Sequence, residues 1–361
     1  MAAAHRARAC ALPEAPAPET FTAASGTLAG TIFWHPSLRI AFDRLVEFLG
    51  SPSDRWFALL VAPAGAGKST LLEAVCNQQT WAARAAMAAD PDLRPVIAVT
   101  APAPAVTNGT FAWQAFADRI ADQLAPPRGL GRTVRAAIDD AARFCRQRGV
   151  RVILVEEARH LAMVSNKRHP DQGLSVLKEF SLATGVRFVL AGTYGLLDFR
   201  ESGTEIDRRT KPVHLAPYDA QVPKERDAFE AVARRMLAAT GAEPSAVDGD
   251  LISRLHERSR GTVGILRDWL VDAEYAMSRS ARLDLAAAIA DAQPDDVSVG
   301  AGRMEIAEGR LRLGLGPEPD LEVVASVAPV TRARTSAGQR LRPGELGPAR
   351  RPIGDEVAYA R

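Results

Sequence analysis

Apolar residues fall along this chain in two rhythms. Short, largely apolar runs at 56–61, 95–100, 150–155 and 186–191 predict buried strands, and a last short strand is expected where the basic corner within 207–215 ends. Elsewhere the spacing is helical. At 37–50 the apolar Leu38, Ile40, Ala41, Leu45, Phe48 and Leu49 alternate with Arg39, Asp43, Arg44 and Glu47, with Ser37 placed to cap the helix and Gly50 to end it. Helical spacing also starts at Lys68 and recurs at 112–124 and 133–148. Beyond Pro217 only helices are predicted, at 224–239, 246–259, 262–280 and 283–292. In the third, Val263, Leu266, Trp269, Leu270, Ala273 and Met277 form one apolar face with Arg267 and Asp268 beside it. The ends carry no such period. Alanine and proline dominate the first 22 residues, and glycine, proline and arginine dominate from Gln293 onward. The expected organisation is a disordered segment at 1–26, an α/β domain at 27–220, a helical domain at 221–292 and a tail at 293–361 that is disordered or ordered by a partner.

Composition narrows the class without naming it. The 361 residues are 47% hydrophobic and 24% charged, with a formal net charge of +2, so any nucleic-acid contact must come from a local basic patch. Cys10, Cys76 and Cys145 have no paired spacing, which argues against a disulfide framework or a metal knuckle. No secretory signal is visible, and no apolar run is long enough to span a membrane; a cytoplasmic protein is expected.

The chemistry begins where the first strand ends. Ala62-Pro63-Ala64-Gly65-Ala66-Gly67-Lys68-Ser69-Thr70 joins a strand to a helix, the setting of a phosphate-binding loop. Gly65 and Gly67 let backbone N–H groups turn inward around a phosphate, with Ala64, Ala66 and Thr70 completing the cradle. Lys68 would reach the β and γ phosphates of ATP, and the Ser69 hydroxyl would ligate Mg²⁺. The loop departs from the motif at its first position, where Ala62 replaces glycine.

A second anchor follows at the strand 150–155, which ends in Glu156 and Glu157. In a phosphate-loop ATPase the first acid holds the metal and the second polarises the attacking water. Glu156 stands where aspartate is usual, which puts metal geometry and turnover rate in question. Thr193, after the strand 186–191, is either a sensor of the γ-phosphate or the start of a turn. Arg208 and Arg209 lie in a basic corner that offers an arginine finger to a neighbouring subunit, or is a solvated turn. Arg267 is either a γ-phosphate contact or a helix-surface arginine.

This order of motifs resembles the AAA+ ATPases. Glu156-Glu157-Ala158-Arg159-His160-Leu161, Leu177-Lys178, Ala191-Gly192-Thr193-Tyr194-Gly195-Leu196-Leu197 and 261–270 (GTVGILRDWL) are similar to the TniB/TnsC transposition regulators, as is 101–104 followed by Phe111-Ala112-Trp113. The resemblance covers about residues 33–270. It implies an α/β P-loop NTPase fold, with a parallel sheet covered by helices on both faces and followed by a small helical lid. It also implies an ATP-dependent homo-oligomer, a ring or helical filament, that assembles on duplex DNA and connects a target-selecting protein of the TniQ type to the transposase. By motif position, Lys68, Ser69, Glu156, Glu157 and Thr193 take the roles given above, with Arg208 or Arg209 as the finger.

Two basic clusters are candidates for the DNA contact, the alternative for each being a solvated face. Arg128, Arg132, Thr133 and Arg135 lie at a helix start, and Lys167 and Arg168 follow the acidic strand. Two other functions remain open: a nucleotide-gated scaffold with little hydrolysis, and an initiator or signalling ATPase of the same fold.

Overall fold

The computed structural model describes residue 28 and residues 31–104, 111–125, 133–162, 171–201, 204–241, 247–279 and 284–315. All belong to the compact unit Met1–Gly316; the other unit, Pro317–Arg361, lies outside the described residues. The strands β1 (Phe57–Val61), β2 (Val96–Thr100), β3 (Val152–Glu156), β4 (Arg187–Gly192) and β5 (Thr210–His214) form one parallel sheet in the order β2-β3-β4-β1-β5. Pro212 has no N–H to give a ladder and stands in β5, an edge strand.

Around the sheet run α1 (Pro36–Gly50), α2 (Lys68–Ala82), α3 (Arg84–Ala89), α4 (Trp113–Asp122), α5 (Val134–Gln147), α6 (Arg159–Ala162), α7 (Asp171–Thr184), α8 (Asp198–Glu201) and α9 (Thr204–Arg208). The two-residue period of β1 divides its side chains between two cores. Phe57, Leu59 and Val61 join Phe116, Ala141, Phe180 and Phe188 on one face, while Ala58 and Leu60 join Leu45, Phe48, Leu71 and Val75 on the other. A strand buried on both faces reads as a continuous apolar run, which is why the sequence marks it so plainly.

After β5 the chain is helical: α10 (Pro223–Ala239), α11 (Gly249–Ser259), α12 (Val263–Arg279), α13 (Leu285–Asp291) and α14 (Asp296–Arg312). Phe229, Met236, Leu255, Leu266, Trp269 and Ile289 form a third core, which Leu28 and Phe33 join from the N-terminal side. The Trp269 indole N–H donates to the Ile289 carbonyl at 2.9 Å, tying α12 to α13.

The structure corrects the sequence reading in two places. His35, not Ser37, caps α1: its ring nitrogen accepts from the Leu38 N–H, while the Ser37 hydroxyl donates to the Ala216 carbonyl at 2.6 Å. The expected tail also does not begin at 293, because α14 follows and packs on the rest of the unit through Val299 and Gly309. No described helix is long and apolar enough to cross a membrane.

Candidate nucleotide site

At the C-terminal end of β1 the chain turns through Ala62 to Gly67 into α2. Gly65 and Gly67 have φ of +73° and +96°, the left-handed region that glycine adopts without steric penalty. Ala62 needs no such freedom. Among the described residues only Glu157 and Arg260 combine a side chain with positive φ, so alanine fits the first loop position, where its N–H donates to the Gly192 carbonyl at 3.3 Å. Lys68 doubles back over the loop and donates to the carbonyls of Pro63 (2.9 Å) and Ala62 (3.4 Å). Burial lowers its pKa, while the Glu157 and Glu305 carboxylates pull the other way.

Facing the loop is a cavity of about 490 Å³, within the range of small-ligand sites. Residues 64–70 form its floor, Glu157 and Thr193 its sheet side, and Met236, Val263, Gly264, Arg267 and Asp268 its helical side. Thr31, Ile32, Phe33 and His35 close the remaining edge. Glu157 holds a φ of +50°, a strained position for a residue with a side chain; such strain costs on the order of 1–3 kcal/mol and gathers at functional sites. On the helical side, α12 abuts the loop itself: a Cβ on Gly264 would overlap the Gly65 carbonyl oxygen. Only glycine permits that approach.

Tyr218 links His35, at the edge of the cavity, to the start of α1 and to the end of α11. Its hydroxyl lies 3.0 Å from the His35 ring nitrogen and accepts from the Ser37 N–H, its carbonyl accepts from His256 at 2.9 Å, and its N–H donates to the Gly261 carbonyl. Burial brings the pKa of His35 down to about 4. Burial does the same for His214, with help from Arg310 and Arg44, and lowers His256 as well. The imidazoles of His35 and His214 are therefore neutral when folded, and unfolding near pH 5 takes up about one proton for each. Stability should be fully present above pH 6.5 and should fall as pH drops toward 4. For His35 and His214 together the slope at pH 5 is about 2–3 kcal/mol per pH unit. Urea unfolding at pH 7, 6 and 5 checks this, and a midpoint that does not move would contradict the neutral buried histidines.

Of the residues singled out from sequence, Ala64 to Thr70, Glu157, Thr193 and Arg267 meet at this cavity. Glu156 does not line it; the residue sits half-buried at the end of β3, opposite Thr100. Arg208 and Arg209 also lie elsewhere. Arg209 pairs with Asp54 at 3.2 Å, and its carbonyl accepts from the N–H groups of Trp56 and Phe57 where β1 enters the sheet, whereas Arg208 is exposed at the end of α9. Thr133 caps α5 by accepting from Ala136, and Arg135 is exposed beside Asp139 (3.1 Å) and Glu179 (4.0 Å). Arg128, Arg132, Lys167 and Arg168 lie outside the described residues. Sequence reasoning missed His35, Met236 and Gly264. Gly264 alone had a signal, since it stands within the 261–270 segment.

Residues 52–199 match the protein family described as AAA domain. With the sheet order, the glycine loop and the acidic strand end, the fold is that of an AAA+ P-loop NTPase. In chain course the protein is similar to the Walker-type ATPase of Pyrococcus abyssi, at 17% identity and a TM-score of 0.47 over 76% of this chain and 75% of that one. It is also similar to the Aeropyrum pernix ORC1 protein in complex with DNA, at 19% identity and 0.46 over 81% and 68%. Domain III of the Thermotoga maritima replication initiation protein DnaA gives 16% and 0.43 over 74% and 96%. Comparison with curated protein sequences finds no match.

Proposed function

We propose that this chain is an ATP-dependent regulator of DNA transposition. In this reading it binds and hydrolyses ATP in the cavity between sheet and lid and assembles as a homo-oligomer on duplex DNA. There it connects a target-selection protein of the TniQ type to the transposase. The observation that carries the nucleotide half is the convergence of Lys68, Ser69, Glu157, Thr193 and Arg267 on one cavity of about 490 Å³. The transposition half rests on the resemblance in the segments 156–161, 191–197 and 261–270. Those segments pack closely about the site, which supports the reading. A Cβ on Gly195 would meet the Arg159 guanidinium at 2.7 Å, and Gly264 lies on the phosphate loop.

Lys68 leaves the loop carbonyls to neutralise the β and γ phosphates, Glu157 accepts the proton of the attacking water, and Thr193 orients it. Of the metal donors expected from the sequence, the Ser69 hydroxyl lines the cavity and Glu156 does not; Mg²⁺ fits through Ser69, because this ion takes few protein ligands and keeps phosphate oxygens and waters. When bound it would offset charge on the phosphates. Arg208 is the better finger, since Arg209 is held by Asp54 within its own chain. A second reading, the nucleotide-gated scaffold with little hydrolysis, is favoured by one observation: Glu156 replaces the usual aspartate and stands outside the cavity wall.

With a net charge of +2, DNA binding depends on a local patch. Anisotropy on duplexes of unrelated sequence should show equal affinities that fall steeply with salt, with a slope of about −0.9 per phosphate neutralised. A non-hydrolysable ATP analogue should strengthen binding, and Arg132→Ala should lower the slope by about one. A flat salt dependence, with or without nucleotide, would remove DNA from the account.

A further inference from the structure

The helix α14 has glycines at 302 and 309, two turns apart on one face. Each is a notch filled by a side chain from a different part of the molecule. At Gly302 the guanidinium of Arg260, from the C-terminal end of α11, occupies the space that a Cβ would need. At Gly309 the ring of Tyr194, next to Thr193 at the end of β4, does the same. Polar contacts fasten both ends. Toward the helical lid, Arg258 pairs with Asp296, Arg303 with Glu257 at 3.0 Å, and Arg260 donates to the Ser298 carbonyl. Toward the sheet, Arg312 donates to the Tyr194 carbonyl at 3.3 Å and pairs with Asp198 at 2.6 Å. Between them Arg310 pairs with Asp219 at 2.8 Å, on the segment where β5 passes into the lid.

We infer that α14 is an intramolecular strap that ties the lid to the Thr193–Tyr194 segment through the notches at Gly302 and Gly309, so that lid position and the placement of Thr193 change together. Gly309, Arg312 and Tyr194 are then positioning residues for Thr193. Tyr194 is itself held from below, its hydroxyl 2.8 Å from the His214 ring nitrogen, so displacement of the strap is passed to a segment with little freedom to absorb it. The consequence for hydrolysis rests on the nucleotide reading; the strap itself does not.

The test uses the opposition between helix propensity and packing. A methyl group on Gly300 would meet nothing within 4 Å, whereas one on Gly309 would run into the Tyr194 ring. Alanine at either site favours the helix intrinsically. Hydrogen exchange on the nucleotide-free full chain should show the amides of α14 and of 194–197 exchanging about tenfold faster in Gly309→Ala. Gly300→Ala should leave them unchanged or slower. Arg312→Gln should resemble Gly309→Ala, because it removes a charged hydrogen bond. Greater protection of α14 in Gly309→Ala than in wild type would overturn the strap. At saturating ATP, Gly309→Ala should lower kcat about tenfold with KM within about threefold, a split that a general loss of stability would not give. Faster exchange with unchanged kcat would overturn the coupling to Thr193. Absence of hydrolysis in wild type would count against the hydrolytic reading of the site and leave the strap to be decided by exchange.

Discussion

Replacing Lys68 by alanine is expected to abolish ATP binding while the chain stays folded. Its ammonium is the only cation among residues 62–70 of the loop, and it bridges the carbonyls of Ala62 and Pro63. Both bonds are half-buried and stay within the loop, so their loss is local, whereas the charge they hold is the one that would face two phosphates. Hydrogen bonds to charged groups contribute about 1.5–3 kcal/mol each, so losing contacts to both phosphates should weaken ATP by about 10²–10³-fold or more. Calorimetry on wild type and Lys68→Ala reads this directly. Tight binding in the variant would mean that the loop does not hold phosphate.

Replacing Glu157 by glutamine should separate binding from turnover. The amide is nearly isosteric with the carboxylate and tolerates the same backbone, so the strained turn at φ +50° is retained. What is lost is the ability to take a proton from water, which accounts for about 10²–10⁴-fold in rate when a positioned base is removed. The expected result is ATP affinity within about threefold of wild type, kcat reduced by at least about a hundredfold, and a longer-lived complex on DNA. Unchanged turnover would transfer the role of base to another residue.

What the sequence reveals and conceals follows from where the physical signal is stored. The strands β1 to β4 are legible because each is short, hydrophobic and mostly buried, and the phosphate loop because its chemistry is contiguous from Ala62 to Thr70; β5 is less so, since its sequence TKPVH buries only Thr210 and Val213. The lid's share of the site is not contiguous. Gly264 meets Gly65 across about two hundred residues of chain, and nothing in the local pattern announces the contact. The N-terminus of α1 misled for a related reason: Ser37 is a good capping residue by propensity, but its hydroxyl is drawn to Ala216 and the cap falls to His35. The helix α14 is concealed by its own glycines. Gly300, Gly302 and Gly309 each disfavour a helix interior by about 1 kcal/mol relative to alanine, and together they read as the start of a flexible tail. Packing reverses that reading, because Gly302 and Gly309 receive Arg260 and Tyr194.

The acidic pair illustrates a different limit. Two adjacent carboxylates at a strand end are visible in sequence, but which one faces the ligand depends on the turn that follows. The positive φ of Glu157 carries that residue to the cavity, while Glu156 keeps the strand's geometry beside Thr100. Glu157 therefore lines the cavity and Glu156 does not.

If the cavity between the phosphate loop and the lid is a hydrolytic ATP site, the purified full chain should release phosphate from ATP. Measured with ATP and Mg²⁺, with and without duplex DNA, release should saturate with ATP, rise on DNA, and be lost in both Lys68→Ala and Glu157→Gln. Release that stays at background in wild type while calorimetry shows bound ATP would contradict hydrolysis at this site and leave the nucleotide-gated scaffold as the reading of the fold.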